Sequence, residues 1–82
     1  MREIEWTEPA LDDLAALNKG IARRVKQAIE RFAGSGVGNV KKLQGIEPPE
    51  YRLRVGDYRL RFCLGDQTIR VLRIRNRREA YR

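Results

Sequence analysis

Arg52, Arg54, Arg59 and Arg61 stand on alternate positions of two short segments, YRLRV and YRLRF, separated only by Gly56 and Asp57. If the segments pair across that turn, the four guanidinium groups share one face of a sheet. Guanidinium forks grip phosphate bidentately and stack on bases, so such a face is a phosphate-binding device. The chain then ends with Asn76, Arg77 and Arg78, followed by Tyr81. A phenol folded back beside several guanidinium groups has its phenolate favoured, which suits it to proton abstraction. Facing Arg pairs, here Arg54 with Arg59 and Arg52 with Arg61, cost about 0.2–1 kcal/mol each. Ligand phosphates or an acidic partner would neutralise them; the plainer alternative is a solvated face whose Arg stems cover apolar surface.

The charge distribution repeats the asymmetry. Residues 51–82 hold ten Arg against Asp57, Asp66 and Glu79, whereas residues 1–50 balance eight basic with eight acidic groups, so the second part carries the whole formal charge of +7. A polyanionic partner follows, and nucleic acid, an acidic protein and an anionic membrane surface all qualify on charge alone. The length of 82 residues fits a single domain spanning 1–82. Cys63 has no second cysteine to bridge, which points to a reducing, cytoplasmic setting. The absence of histidine excludes a Cys–His nucleophile pair and any His metal site, so neither metal nor cofactor is expected. No apolar run approaches the roughly 20 residues that span a bilayer, and MREIEW has no apolar leader core, so the chain reads as soluble with no membrane partner.

These residues need a scaffold, and the sequence predicts an α+β one. Residues 2–7 alternate Ile4 and Trp6 with Glu3 and Glu5, the period of a half-buried strand. Thr7 reads as an N-cap with Pro9 in the first helical turn, and Leu11, Leu14, Ala15 and Leu17 form an apolar stripe that Asn18 and Gly20 end. Ile21, Val25, Ala28, Ile29 and Phe32 then recur at helical spacing. Asp12 and Asp13 read as solvated first-turn charges that favour the helix dipole. GSGVGN at 34–39 and GIEPPE at 45–50 read as loops, the first following a helix and so unlike a dinucleotide-binding glycine loop.

A three-stranded antiparallel meander is expected over 51–55, 58–64 and 67–74, with Gly56-Asp57 and Gly65-Asp66 as type II′ turns. Register then places Tyr51, Leu53 and Val55 opposite Phe62, Leu60 and Tyr58 on the core face, continued by Leu60 with Val71 and Phe62 with Ile69. The opposite face is expected to carry the four Arg, extended by Arg70, Leu72 and Ile74, with Arg73 on or near the core side. The sum is a small, mostly antiparallel sheet packed on a two-helix hairpin.

With YRLRVGDYRL at 51–60 and VLRIRNRREAYR at 71–82, this order of elements resembles the RelE/ParE toxin superfamily over nearly the whole chain. The resemblance implies a RelE-like fold and a toxin of a type II toxin–antitoxin system. RelE-like members are ribosome-dependent mRNA interferases, endoribonucleases that cut A-site mRNA without metal and so inhibit translation. The ribose 2′-OH attacks the adjacent phosphate, and a co-expressed antitoxin neutralises the toxin. Carried over by position, Arg59, Arg77 and Tyr81 become the catalytic residues, with Tyr81 the general base. Arg52 and Arg54 become RNA-binding, and Arg61, Asn76 and Arg78 beside these positions are expected to bind RNA with them. The implied partners are the ribosome and mRNA, together with an acidic RelB-like antitoxin in a hetero-oligomer. Relatives often carry Lys at positions 52 and 54 and Gly-His at 75 and 76, and Arg cannot act as a base. Two other readings stay open, a ParE-like inhibitor of DNA gyrase and a non-catalytic nucleic-acid or ribosome-binding module.

Overall fold

In the computed structural model, which describes residues 1–76, the alternating N-terminal segment forms strand β1 at Glu3–Trp6. Thr7 ends the strand and starts a helix: its hydroxyl accepts from the Ala10 N–H to cap α1 (Glu8–Ala15) and donates to the Val71 carbonyl at 2.9 Å. Asn18 caps the second helix, α2 (Lys19–Ser35), by accepting from the Ile21 N–H at 2.9 Å. Gly20, expected to end the first helix, therefore lies in the first turn of the second. Gly36, at φ 76°, stops α2 in the left-handed conformation that glycine adopts without steric cost.

Four more strands follow: β2 (Val40–Lys42), β3 (Tyr51–Val55), β4 (Tyr58–Leu64) and β5 (Thr68–Asn76). They join β1 in one sheet of order β1-β5-β4-β3-β2, antiparallel except for the parallel pair of β1 and β5. The short edge strand β2 lies between the two expected loops, in a stretch to which the sequence assigns no element; its three residues are too few to show a period. Both helices pack on one face, α1 against β5 and α2 against β1 and β3. The core between the layers is Ala10, Val25, Ile29 and Ala33 from the helices with Leu53, Leu60, Phe62, Ile69, Val71 and Ile74 from the sheet. Phe62 meets Phe32 on one side and Tyr51 on the other, with ring centroids 5.5 and 5.8 Å apart.

The first hairpin has the expected register, with Leu53 opposite Leu60, Arg52 opposite Arg61 and Arg54 opposite Arg59. Gly56 takes φ 58° while no described residue other than glycine has positive φ, which selects type II′ over type I′ at this turn. The second hairpin departs from expectation twice. Its turn is Asp66-Gln67, closed by the Gly65 N–H donating to the Thr68 carbonyl at 2.8 Å, so Leu64 pairs with Ile69. Gly65 is needed for close approach, since a Cβ there would sit 2.7 Å from Thr68 Oγ1.

The second departure is a bulge. Phe62 pairs with Val71 but Arg61 pairs with Arg73, leaving Leu72 as the extra residue of β5. The phase of the strand slips by one there: Ile69 and Val71 are buried, and so is Ile74, at 5% exposure, opposite Leu60. Ile74 is therefore a core residue rather than part of the Arg face, and Arg73 belongs with Arg61 rather than with the core. A strict period of two would have buried an Arg and exposed an Ile, and the bulge avoids both. Ile74→Ala is accordingly expected to cost about 2–5 kcal/mol in urea unfolding, and Leu72→Ala distinctly less. An unbroken strand, with both side chains outward, would make the two variants equally mild.

Candidate phosphate-binding face

The sheet face away from the helices receives its cations in two rows, because directly opposed residues of paired strands share a face. One row runs Lys41, Arg52, Arg61, Arg73 across β2, β3, β4 and β5. The other runs Arg54, Arg59, Arg75 across β3, β4 and β5. Neighbours within a row are one strand apart, about 4.8 Å, and the rows are two residues apart along each strand, about 6.7 Å. Arg52, Arg54, Arg59 and Arg61 thus come together as the sequence predicts. Asn76 does not join them: it pairs with Tyr58, in register with the helix-side face. Arg77, Arg78 and Tyr81 lie outside the described residues.

Sequence reasoning missed Lys41, Arg73 and Arg75 as members of this face. Lys41 was hidden by the short β2. The signal for the other two is present in IRVLRIR at 69–75, where Arg at 70, 73 and 75 interleaves with apolar residues only if one position is skipped.

Two carboxylates enter the first row from within the chain. Glu50, placed at the end of the Pro48-Pro49 loop, accepts from Arg61 Nε at 3.0 Å and Nη2 at 2.6 Å through one oxygen, with only 15% of its side chain exposed. Asp13, on the last turns of α1, accepts from Arg73 Nε at 2.8 Å and Nη2 at 3.2 Å, and from the Ile74 backbone N–H at 2.9 Å. Asp13 is therefore a half-buried bridge between helix and strand, not the solvated first-turn charge expected. Pairing of β1 with β5 stops at Val71, and Asp13 takes up a backbone donor that the missing strand leaves over. Burial alone would raise the Asp13 carboxyl, but the hydrogen bonds from Arg73 and Ile74 and the charges of Arg73 and Arg75 outweigh it and hold the group below its ordinary 3.8. Asp13 in turn raises the pKa of Arg73 through the same hydrogen bond and charge.

Other members of both rows differ. Among the described residues, no carboxylate pairs with Lys41, Arg52, Arg54 or Arg75. Arg54 and Arg75 are exposed, while Arg59 is half-buried between them with its Nε out of contact with solvent. A third ion pair, Arg70 with Glu5 at 3.4 Å, is exposed at both ends and contributes little. The face can bind and polarise phosphate, but among the described residues its only carboxylates, Glu50 and Asp13, are held by Arg61 and Arg73. Guanidinium stays protonated, and Tyr51 and Tyr58 pair with Phe62 and Val55 on the helix side. Among the described residues no group of His, Cys, Asp or Glu is placed to hold a metal ion, and no helix is long and apolar enough to cross a membrane.

A small sheet backed by a helical hairpin and faced with ordered cations defines a basic α+β domain, and the comparisons with known proteins say of which family. A family model for the ParE toxin of type II toxin–antitoxin systems matches residues 4–81, and the chain belongs to that family. That family lies in the RelE/ParE superfamily that the sequence resembles. The RelB–RelE antitoxin–toxin complex of Methanococcus jannaschii is similar at 27% identity and a TM-score of 0.77, covering 94% of both chains. The archaeal RelE–RelB complex of Pyrococcus horikoshii OT3 is similar at 25% identity and a TM-score of 0.77, over 93% of this chain and 94% of that one. The DinJ–YafQ complex of E. coli shares the fold at 17% identity, a TM-score of 0.79 and full coverage of both. No curated protein matches the chain.

The direction of the Asp13 shift sets a pH dependence. A carboxyl whose folded pKa is depressed stabilises fully above its unfolded value and loses that contribution as pH falls through the folded one. Asp13→Asn should therefore be less stable than the parent at neutral pH, by about 1–2 kcal/mol, with the two converging below pH 3.8. Urea unfolding across an acid pH series measures the gap, and a gap independent of pH would contradict the assignment.

Proposed function

We propose that this toxin is a ribosome-dependent mRNA endoribonuclease, held inactive by an acidic antitoxin. The observation that carries this reading is the two-row cation face: seven basic side chains in register on one side of a sheet suit a phosphate backbone. In the proposed reaction the ribose 2′-OH attacks the neighbouring phosphorus, the 5′-oxygen of the next nucleotide leaves, and a 2′,3′-cyclic phosphate forms. Tyr81 takes the 2′ proton, Arg59 and Arg77 stabilise the charge that builds on the phosphoryl oxygens, and Arg52 and Arg54 hold the flanking backbone. No metal or cofactor enters. The antitoxin assignment draws on the neighbouring RelE structures, solved as complexes with RelB, and the net charge of +7 asks for an acidic partner.

The match to the ParE family model favours a second reading, inhibition of DNA gyrase by protein contact. The two are separated by running purified toxin against programmed ribosomes and against gyrase with relaxed DNA. Cleavage of A-site mRNA, with Tyr81→Phe slowed about 100-fold or more and Arg59→Ala by a comparable factor, is the expected result. Loss of supercoiling with mRNA left intact would reverse the choice. If both variants cut as fast as the parent, the residue assignment is wrong even if cleavage is confirmed.

A further inference from the structure

The sequence treats its Arg residues as one pool, but the structure divides them by what already occupies them. In the row Lys41, Arg52, Arg61, Arg73, the two members on β4 and β5 are held by Glu50 and Asp13 at 2.6–3.2 Å. In the row Arg54, Arg59, Arg75, neither exposed end has a carboxylate among the described residues. The charge of Arg75 acts on Asp13, but the two form no ion pair. Its side chain is exposed and stands directly opposite Arg59, which in turn stands opposite Arg54.

A cation already paired with a carboxylate of its own chain must give up that partner before it can take a phosphate. One bathed in solvent need only shed water and mobile ions. The spacing of the second row also lets guanidinium groups on three adjacent strands reach the same stretch of backbone. Resting on the RNA-cleaving function proposed above, we propose that Arg75 extends the phosphate track of Arg52, Arg54 and Arg59 as a phosphate-positioning residue, with Arg61 closed to phosphate by Glu50. A phosphate that strays toward Arg61 meets the fixed negative charge of Glu50.

Salt dependence of binding reads this directly. A short fluorescein-labelled oligouridylate is titrated with the full chain over a range of potassium chloride, and the log–log slope of affinity against salt counts phosphate contacts at about 0.7 each on single strands. Arg75→Gln is expected to flatten the slope by about 0.7, Arg75→Lys to restore it, and Glu50→Gln to steepen it by up to about 0.7 as Arg61 is released. Arg75 is exposed, so circular dichroism melting of Arg75→Gln should match the parent and separate lost contact from lost fold. An Arg75→Gln slope equal to the parent's overturns the track while leaving the nuclease reading intact. An unchanged slope in Glu50→Gln overturns the closure of Arg61. A parent chain that shows no salt-dependent binding overturns the track, while the nuclease reading stands or falls on cleavage of mRNA on programmed ribosomes.

Discussion

One extra residue, Leu72, decides which side of the sheet every later side chain of β5 occupies. Before it, Ile69 and Val71 point to the helices; after it, Ile74 does, and Arg73 and Arg75 point away. Were β5 unbroken, two guanidinium groups would be driven under α1 and an isoleucine turned to water. Unpaired burial of a single charge costs several kcal/mol, which no small core could absorb twice. The bulge also sets the register in which Arg73 meets Arg61 and Arg75 meets Arg59, so both cation rows reach the β5 side of the sheet only because of it. Asp13 depends on it too, since its hydrogen bonds reach Arg73 and the Ile74 N–H immediately beyond the slip.

The rows are in tension with the fold that carries them. Five like-charge neighbours stand directly opposed: Lys41–Arg52, Arg52–Arg61, Arg61–Arg73, Arg54–Arg59 and Arg59–Arg75. At about 0.2–1 kcal/mol per pair they weigh roughly 1–5 kcal/mol against the native state, a sizeable part of the 5–15 kcal/mol typical of a domain. Glu50 and Asp13 relieve the longer row. The other face supplies the opposing force, with Phe62, Leu60, Leu53, Ile69 and Val71 almost wholly removed from water against Val25 and Ile29. A face this costly to assemble, left partly uncompensated, is what an incoming polyanion would stabilise.

Much of this was legible in the sequence, and the failures have physical causes. The first hairpin was readable to the residue, because a two-residue loop starting with Gly admits one register and strict alternation confirms it. The helices were readable from Thr7, the apolar spacing of α2 and the glycines that follow it, though Asn18 served as a start rather than a stop. The second hairpin misled because Gly65 resembles a turn residue, whereas it serves as the partner of Thr68 in a tight approach. The bulge lay open in the pattern of 69–75 but contradicts the period of two on which strand reading rests. Asp13 and Glu50 were beyond reach, since each meets its Arg across a fold contact, Asp13 at a separation of 60 residues. No local pattern encodes such a pairing.

The Asp13 contact also guards a vulnerable margin. Beyond Val71, β5 has no strand beside it on the β1 side, and a bare strand edge is a template on which another chain can add itself. Here the Thr7 hydroxyl takes the Val71 carbonyl and the Asp13 carboxylate takes the Ile74 N–H, so α1 stands where a sixth strand might have paired. The far margin of the sheet is the three-residue β2, which shows Lys41 and Lys42 to its surroundings. Short length and like charge both discourage a second copy from docking there. The same helix that completes the core thus occupies the edge at which strand addition would begin.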